Sequence, residues 1–335
     1  MNVWKGKYGP LLIAEIGGNH EGNFEYARKL TELAAESEVD FVKFQVYFGN
    51  SIVNPVISPD RNAHFKKFEL TPDQHIELAE ICISRNKGYM ASVWDMDAFD
   101  WIDPFIKIYK IGSGDLTAYP FIKKIGSFGK PVIISTGLAN MKEVMQSIDY
   151  LISVNPVYKR KDSLALLQCT SMYPIVPSDT HLNVIREFKE RTGYIAGYSD
   201  HTEGSAALET AYAMGAEILE FHFTDNRENK TFRDHKVSLT KEEVKDLCSK
   251  IRLINEMKGL PEKQLLETES EHIISFRRAV YPKRDITAGT VIRPEDLHVL
   301  RPNEGIDARY FDQLLGKKVK INLKGNQKLD WSYFE

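Results

Sequence analysis

Two lysines lie inside short apolar segments that otherwise have the composition of buried strands. Lys43 falls within FVKFQ and Lys110 within IYKIG, so both side chains are expected to point into an interior. An unpaired ammonium group is costly to bury and needs an anionic partner. That partner is either a carboxylate of the chain, Glu15 or Asp115, or a bound anion with more than one charge, such as a phosphate ester.

Hydroxyl and backbone donors favour the bound anion. Ser113 follows the segment that carries the second lysine, and Ser135 ends the next apolar segment. Gly112, Gly114 and Gly137 would let backbone N–H groups approach an anion closely. None of these residues is specific alone, but together they predict a site for a phosphate ester.

Two histidines form a second candidate group. His201 and His222 follow or end two consecutive apolar segments, so both imidazoles can project into one opening. Neutral imidazole is a common ligand of transition metals, and two of them leave coordination positions for a substrate. The alternative is one acid–base histidine and one packed histidine. Asp200 precedes His201 and is expected to orient its imidazole.

Four carboxylates complete the polar set, namely Glu15, Asp95, Asp115 and Asp234. Carboxylates commonly hold sugar hydroxyls, which makes these residues candidates for a carbohydrate site. Each of them could equally pair with a lysine or cap a helix.

These candidates fall at the ends of regularly spaced strands. Apolar segments alternate with segments of helical periodicity. The expected strands are residues 11–16, 41–46, 89–94, 108–111, 131–135, 164–169, 195–198 and 218–223. Eight strand–helix units in about 260 residues predict a (β/α)8 TIM barrel, in which catalytic groups sit at the carboxyl ends of the strands.

An open, doubly wound sheet is the alternative fold. It is disfavoured because the turn after the first strand, Gly17-Gly18-Asn19-His20-Glu21-Gly22, lacks the GxGxxG pattern. Two helix starts are marked clearly, one by Thr71 as N-cap before Pro72 and one by the capping box of Thr240 and Glu243.

The composition changes after Gly259. Residues 260–275 are polar and typical of a linker, whereas residues 276–335 have short extended pieces, Pro and Gly turns and no long helix. We therefore expect a catalytic barrel over 1–259, a linker, and a small mostly-β domain over 276–335. A domain of about 60 residues is marginally stable alone and is expected to lean on another surface.

Charge and cysteine usage limit the partners. The chain has 44 Lys+Arg against 47 Asp+Glu, a net charge of −3, which disfavours nucleic acid and anionic membranes. Its 3 cysteines form no CxxC motif, so a disulfide framework is not expected. Because no secretory signal or long apolar segment is evident, we expect a cytoplasmic protein.

The motifs around these residues resemble those of the sialic acid synthase family, which includes N-acetylneuraminate, legionaminate and pseudaminate synthases. The matching barrel segments are IAEIGGNHEG (13–22), FVKFQ (41–45), YKIGSGD (109–115), FGKPVIISTG (128–137), LLQCTSMYP (166–174), GYSDHTEG (197–204) and EFHFT (220–224). The segments RRAVYPKRDITAGTVIRPEDL (277–297), RPNEGID (301–307) and LLGKK (314–318) resemble the family's SAF domain, which is related to type III antifreeze proteins.

The resemblance implies that phosphoenolpyruvate condenses with an N-acyl-mannosamine-type or 2,4-diacetamido hexose. The products of this carbon–carbon bond-forming transferase would be a nine-carbon 2-keto acid and phosphate, released by C–O cleavage. A divalent metal is implied on His201 and His222, Mn2+ with Mg2+ or Co2+ as alternatives. The family also implies a domain-swapped homodimer, in which the SAF domain is a lid and Arg301 reaches the site of the other subunit.

The expected site residues follow from the residues and the resemblance together. Phosphoenolpyruvate binding is expected from Lys43, Lys110, Ser113, Ser135, Ser171 and Ser199. Sugar binding is expected from Glu15, Gln45, Asp95, Tyr173, Asp234 and Arg301. Catalytic roles are expected for Glu15, Asp115, Lys43 and Lys110.

The chain departs from the family's pattern near the expected sugar site. Ser92-Val93-Trp94-Asp95 stands where relatives often carry Ser-Thr-Pro-Phe, and Asp115 stands where glutamate is usual. Gln168 and Ser171 replace a histidine and an asparagine of some members. The segment DNRENKTFR (225–233) lacks a Pro-Gly-Pro run, so an unusual acceptor is expected.

Two other functions are compatible with the same residues. One is a class I aldolase, in which Lys110 or Lys43 forms a Schiff base with pyruvate. The other is a non-catalytic barrel that binds sugars or phosphates. Phosphate release from phosphoenolpyruvate would refute the first, and binding of several amino-sugars without turnover would favour the second.

Overall fold

Eight parallel strands close into a barrel in this computed structural model, which describes residues 3–335. The strands of the first unit are β1 Lys5–Gly6, β2 Gly9–Glu15, β3 Phe41–Val46, β4 Gly88–Val93, β5 Tyr109–Ile111, β6 Val132–Ser135, β7 Leu164–Cys169, β8 Ile195–Asp200 and β9 Ile218–His222. Strands β2 to β9 pair in chain order, and β2 also pairs with β9. The predicted TIM barrel is confirmed, and the open doubly wound alternative is wrong.

Helices separate the strands and cover the barrel. They are α1 Phe24–Ala35, α2 Gly49–Ile52, α3 Pro59–Phe68, α4 Pro72–Ser84, α5 Phe99–Ile102, α6 Tyr119–Ser127, α7 Met141–Val154, α8 Val184–Thr192, α9 Ala206–Ala213 and α10 Lys241–Lys258. Both predicted helix starts are confirmed, since Thr71 and Thr240 each accept the backbone N–H three residues ahead and form a capping box. Of the helices described between residues 3 and 335, none is long and apolar enough to cross a membrane.

The strand period of two residues sorts the side chains into two cores. Residues such as Leu12, Val42 and Phe44 face the helices and form the larger cluster. The alternate residues fill the barrel interior, where the amino-terminal layer is apolar: Leu11, Ile13, Phe41, Met90, Ile108, Ile133, Ala165, Leu167 and Ile218, with Trp4 beside them.

The interior changes character two residues further along each strand. The corresponding buried residues there are Glu15, Lys43, Ser92, Lys110, Ser135, Cys169, Ser199 and Glu220. A barrel interior filled only for packing is dominated by Val, Ile and Leu. The polar layer therefore marks the carboxyl ends of the strands as the functional end of the barrel.

The chain divides into two compact units, residues 1–259 and 260–335. The second unit contains α11 Glu267–Ser270, α12 Ile273–Phe276, β10 Ala279–Pro282, β11 Leu297–Leu300 and α13 Phe311–Leu314. Strands β10 and β11 are antiparallel. Isolated bridges join other extended pieces, such as Ile286 with Leu323, over a small apolar core that includes Val280 and Leu314.

Candidate active site

A cavity of about 540 Å³, hereafter the polar cavity, opens at the carboxyl ends of the barrel strands. Among the described residues, its lining includes the predicted site residues Glu15, Lys43, Gln45, Lys110, Ser113, Asp115, Ser135, Ser171, Tyr173, Ser199, His201 and His222. Residues from every barrel strand or from the turn after it thus meet in one space, as expected where parallel strands end together.

Lys43 lies in an ion pair with Glu15. The Lys43 Nζ–Glu15 Oε2 distance is 2.6 Å, and both side chains are almost fully buried. Strand register produces this contact, because Glu15 is the cross-strand partner of Lys43 in β2 and β3. Gln45, two residues along the same strand face, donates to Glu15 Oε1 at 2.9 Å. Of the two possible carboxylate partners, Glu15 is the one that holds Lys43.

Glu220 joins the two lysines, and the sequence analysis did not select it. Its carboxylate lies 3.9 Å from Lys43 Nζ and 3.7 Å from Lys110 Nζ. Ser199, its cross-strand partner in β8, donates to Glu220 at 3.3 Å. Lys110 donates at 2.6 Å to Ser135. Glu220 was detectable, because it is two residues before His222 on a buried strand and therefore faces the same interior.

Burial and charge act in opposite directions on these four groups. Burial raises the pKa of the Glu15 carboxyl. Burial opposes the charge of Lys43, but the attraction of Glu15 and Glu220 outweighs it and raises the Lys43 pKa. Lys110 has no carboxylate as close as the one beside Lys43, so burial, assisted by repulsion from Lys43, lowers the Lys110 pKa. Burial also opposes the charge of Glu220, but both lysines outweigh it and lower the Glu220 pKa.

Asp115 is held by an indole rather than by a lysine. Trp94 Nε1 donates to Asp115 Oδ2 at 2.5 Å, so two of the positions that depart from the family's pattern touch each other. Burial raises the pKa of Asp115 in spite of this bond. Next to it, Ser113 accepts the backbone N–H of Gly137 at 3.1 Å.

The two histidines lie side by side in the lining of the polar cavity. Their ring centroids are 5.3 Å apart, and the Tyr173 ring lies 4.0 Å from His201 and 5.6 Å from His222. His201 Nδ1 lies 2.7 Å from the backbone carbonyl of Thr170. The expectation that Asp200 orients His201 is wrong, because that carboxylate instead binds Tyr198 and Thr202.

Two observations bear on whether the histidines suit a metal. Burial, with the nearby charges of His201 and Lys43, lowers the His222 pKa well below its usual value, which keeps the imidazole neutral. His222 Nδ1 is buried without a hydrogen-bond partner among the described residues. Within residues 3–335, no cluster of three or more His, Cys, Asp or Glu side chains could hold a metal alone. The pair therefore fits an open site that substrate or water would complete, and it does not fit a closed structural site.

Three predicted residues lie outside the polar cavity. Asp234 is buried beside it, where it binds Arg233 at 3.1 Å and lies 3.8 Å from His222 Nδ1. Asp95 accepts the backbone N–H groups of Asp97 and Ala98, which is a capping role. Arg301 belongs to the second unit.

Several lining residues have long side chains that the sequence analysis did not select, namely Arg61, Phe65, Trp94 and Arg233. They come from segments after the strands rather than from the strands themselves. Sequence periodicity carries no signal for the direction of such side chains. Trp94 and Arg233 had a different signal, since both lie in segments expected to depart from the family's pattern.

Comparisons with known proteins agree with this architecture. The NeuB family model matches residues 30–263, and the SAF domain model matches residues 277–335. The N,N'-diacetyllegionaminic acid synthase of Campylobacter jejuni is 32% identical over 330 residues, which cover 95% of this chain and 98% of that relative. The N-acetylneuraminate-9-phosphate synthase of Homo sapiens is 31% identical, with 96% and 92% of the two chains covered.

A solved structure is similar as well. The N-acetylneuraminic acid synthetase from Leptospira borgpetersenii, crystallised with citrate, aligns with a TM-score of 0.70 at 26% identity. The alignment covers 79% of this chain and 90% of that one. The expected resemblance to the sialic acid synthase family is thereby confirmed.

Removing the charge of Glu220 should destabilise the barrel. In Glu220→Gln, Lys110 loses its nearest carboxylate, and breaking a buried ion pair typically costs about 3–5 kcal/mol. We expect a loss of that size in the free energy of unfolding, measured by urea denaturation at neutral pH. The control is Glu217→Gln, which breaks an exposed pair with Lys189 and should cost under about 1 kcal/mol. Equal losses in the two variants would contradict the role given to Glu220.

Proposed function

Because the chain belongs to the NeuB family and carries a C-terminal SAF domain, we propose that it is a nonulosonic acid synthase. It condenses phosphoenolpyruvate with an N-acyl-mannosamine-type or 2,4-diacetamido hexose to give a nine-carbon 2-keto acid and phosphate. The observation that carries this proposal is the polar cavity, in which two buried lysines share one space with two histidines. The names of the relatives at 32% and 31% identity support the product class.

Lys43 and Lys110 bind the phosphate and carboxylate groups of phosphoenolpyruvate. Lys110 Nζ is 3.7 Å from Glu220, beyond hydrogen-bond distance, so its N–H groups are not consumed by that carboxylate. Hydroxyls of the surrounding serines add further donors, from Ser113, Ser135, Ser171 and Ser199. Donors fixed in a buried site need little reorganisation when charge develops on the phosphate.

The bond changes follow from the electron-rich C3 of phosphoenolpyruvate. C3 forms the new bond to the aldehyde carbon of the open-chain sugar, and positive charge develops at C2. Water adds to C2, and the bond between C2 and the phosphate oxygen then breaks and releases phosphate. Glu15 and Asp115 line the cavity, and burial raises the pKa of both carboxyls, so each is a stronger base for the proton of that water.

The histidine end of the cavity receives the sugar. A divalent ion, Mn2+ or alternatively Mg2+ or Co2+, held there by His201 and His222 would supply Lewis-acid polarisation of the aldehyde oxygen. Gln45 and Tyr173 bind sugar hydroxyls from the cavity wall, and Asp234 does so from beside it. Holding both substrates in register supplies much of the remaining rate enhancement.

One observation favours a second candidate, the class I aldolase. The pKa of Lys110 is lowered by burial, and a lysine of lowered pKa is a better Schiff-base nucleophile. Borohydride reduction in the presence of pyruvate would then add mass to Lys110, which mass spectrometry of a tryptic digest detects. We expect no such adduct.

The synthase reaction predicts which bond of phosphoenolpyruvate breaks. The protein is incubated with Mn2+, a panel of 2-acetamido and 2,4-diacetamido hexoses, and phosphoenolpyruvate labelled with 18O at the bridging oxygen. Mass spectrometry should find the label in the released phosphate because C–O cleavage leaves that oxygen on phosphorus. Label retained in the nine-carbon product would exclude the mechanism, and absence of any product would exclude the function.

The histidine pair predicts metal dependence. His201→Ala and His222→Ala should each keep the fold, checked by circular dichroism, and lose turnover because one imidazole holds the ion weakly. A chelator should silence the unmodified protein, and added Mn2+ or Mg2+ should restore it. His272→Ala is the control, since His272 is exposed in the second unit. Full activity in chelator would contradict this role.

We also propose that Arg301 completes the sugar site of a second copy in a domain-swapped homodimer. Arg301 Nε donates to the carbonyl of Phe276 at 2.7 Å. Among residues 3–335, no carboxylate lies within ion-pair distance of Arg301, and Asp307 pairs with Arg309 instead. The planar guanidinium keeps donors for sugar oxygens.

Mixing two inactive variants tests this arrangement. The Arg301→Ala and His201→Ala variants should each have low activity when assayed alone. Random reassortment makes about half of the dimers mixed, each with one intact composite site, so activity should rise toward about a quarter of the unmodified level. Activity no higher than the average of the two parents would show that Arg301 does not act across a dimer.

A further inference from the structure

A second cavity, hereafter the aromatic pocket, adjoins the polar cavity and has a volume of about 460 Å³. Aromatic side chains form a large part of its walls, including those of Tyr47, Phe65, Phe68, Trp94 and Phe232, and polar side chains form the rest. Gln45, Arg61, Phe65, Trp94, Tyr173 and Arg233 line both cavities. A molecule bound in the polar cavity can therefore extend directly into the aromatic pocket.

The aromatic walls pack against one another. Tyr47 lies 5.1 Å from Phe65 in an edge-to-face contact and 5.6 Å from Trp94 in a stacked one, measured between ring centroids. On the opposite wall, Phe68 and Phe232 have centroids 5.0 Å apart. Such pairs are stable beyond the area that they bury, which fixes the shape of the pocket.

The Phe232 wall also depends on its neighbours. A Cβ at Gly18 would lie 2.7 Å from Phe232 Cζ, so the ring occupies the space that glycine leaves. The chain segment before Phe232 is tied to helix α1, since Asp225 accepts from Tyr26 at 2.6 Å and pairs with Lys29 at 2.8 Å. The position of the Phe232 ring is therefore fixed by close packing and by the contacts of the preceding segment.

Arg61 and His64 are polar groups that line the aromatic pocket, and His64 also stacks with Phe232 at a centroid distance of 6.0 Å. Arg61 is the stronger candidate for binding a ligand because its guanidinium has several donors in one plane. It has no hydrogen-bond or ion-pair partner among residues 3–335. Arg233, in contrast, pairs with Asp234 at 3.1 Å and lies 4.4 Å from the Tyr173 ring centroid. The pocket thus combines aromatic faces with donors that have no partner within residues 3–335, of which the Arg61 guanidinium is the largest. This combination suits an amide carbonyl followed by an alkyl chain.

The size of the pocket points to a chain longer than acetyl. Its volume of 460 Å³ corresponds to about fifteen waters at about 30 Å³ each. An acetyl group has three non-hydrogen atoms and would leave most of that space to poorly bound water. Arg61 and His64 offer donors to a phosphate, but the carboxylate of Asp234 in the same lining opposes it and already pairs with Arg233.

We infer that the aromatic pocket binds the acyl chain of an acylamino substituent on the acceptor sugar, and that this chain is longer than acetyl. Arg61 donates to the acyl carbonyl, and Phe65, Phe68 and Phe232 contact the alkyl carbons. The inference rests on the proposed function for the sugar in the polar cavity. It makes Arg61 and Phe232 specificity-determining residues.

The test uses mannosamines that carry N-acetyl, N-propanoyl, N-butanoyl or N-pentanoyl groups. Calorimetry without phosphoenolpyruvate measures the dissociation constant of each sugar, and a parallel phosphate-release assay measures kcat/KM. Each added methylene that is buried should tighten binding about fourfold, so acetyl and pentanoyl should differ by about 60-fold. N-acetylmannosamine 6-phosphate is included to probe a phosphate in the pocket.

Variants separate the two halves of the pocket. Phe232→Leu, with Phe68→Leu as a second variant, should flatten the dependence on chain length and leave the affinity for the acetyl sugar nearly unchanged, because both rings line the aromatic pocket and not the polar cavity. Arg61→Ala should weaken every member of the series about tenfold, because the carbonyl is common to all. The controls are Tyr310→Ala in the second unit and Arg186→Ala, whose exposed side chain pairs with Glu190.

The possible outcomes are distinct. Equal or tighter binding of the acetyl sugar, a dependence on chain length that survives in both Leu variants, no binding of any sugar, or tightest binding of the phosphorylated sugar would each overturn the inference. Phosphate release without dependence on chain length would leave the proposed function intact and overturn only the pocket. Binding that depends on chain length without phosphate release would support the assignment of the pocket and overturn the proposed function.

Discussion

Two ammonium groups inside the barrel need negative charge close by, because Lys43 and Lys110 are each 3% exposed. Glu15 forms an ion pair with Lys43, with Oε2 2.6 Å from Nζ, and the Glu220 carboxylate lies within 4 Å of both lysines. Strand register pairs Glu15 with Lys43, whereas Glu220 reaches both lysines across the barrel interior. Closure of the barrel therefore brings these opposite charges together. An anion entering this layer meets donors that the fold already holds in place, and this is the condition under which buried charge stabilises a transition state.

Trp94 connects this layer to the aromatic pocket. Its ring lines both cavities, and its indole N–H donates to Asp115. The shorter aspartate arm, where the family's pattern has glutamate, is matched here by a large donor after the preceding strand. Phe232, in the other segment that departs from the pattern, completes the opposite wall. Two of the segments expected to depart from the family's pattern, those of Trp94 and Phe232, therefore meet in one pocket. Under the proposed function, this pocket concerns the choice of acceptor rather than the chemistry of phosphoenolpyruvate.

The sequence predicted the barrel and most of the polar cavity because the alternation of strands with helices and the order of the motifs can both be read directly from the sequence. Glu220 was not predicted, although it lies two residues before His222 on the same strand and the strand period of two places both side chains on one face. Asp95 was predicted as a sugar-binding carboxylate that follows a strand, and Asp200 as the sequence neighbour of His201. In the structure, short carboxylates at strand ends bind the nearest backbone N–H or hydroxyl, as both of these residues do. The aromatic pocket is built from segments without periodicity, and only the fold brings them together.

The same alternation that buries the lysines also orders the cavity in depth. His222 follows Glu220 by two residues on one strand, and His201 follows Ser199 in the same way, so the histidines lie about 7 Å nearer the mouth. Under the proposed function, phosphoenolpyruvate occupies the deeper layer and the sugar the outer one. A sugar bound first would cover the route to the lysines, whereas phosphoenolpyruvate bound first leaves the histidines and the aromatic pocket accessible. The depth of the two layers therefore favours turnover in which the smaller, more highly charged substrate binds before the sugar, whereas a sugar bound to the free protein forms an unproductive complex.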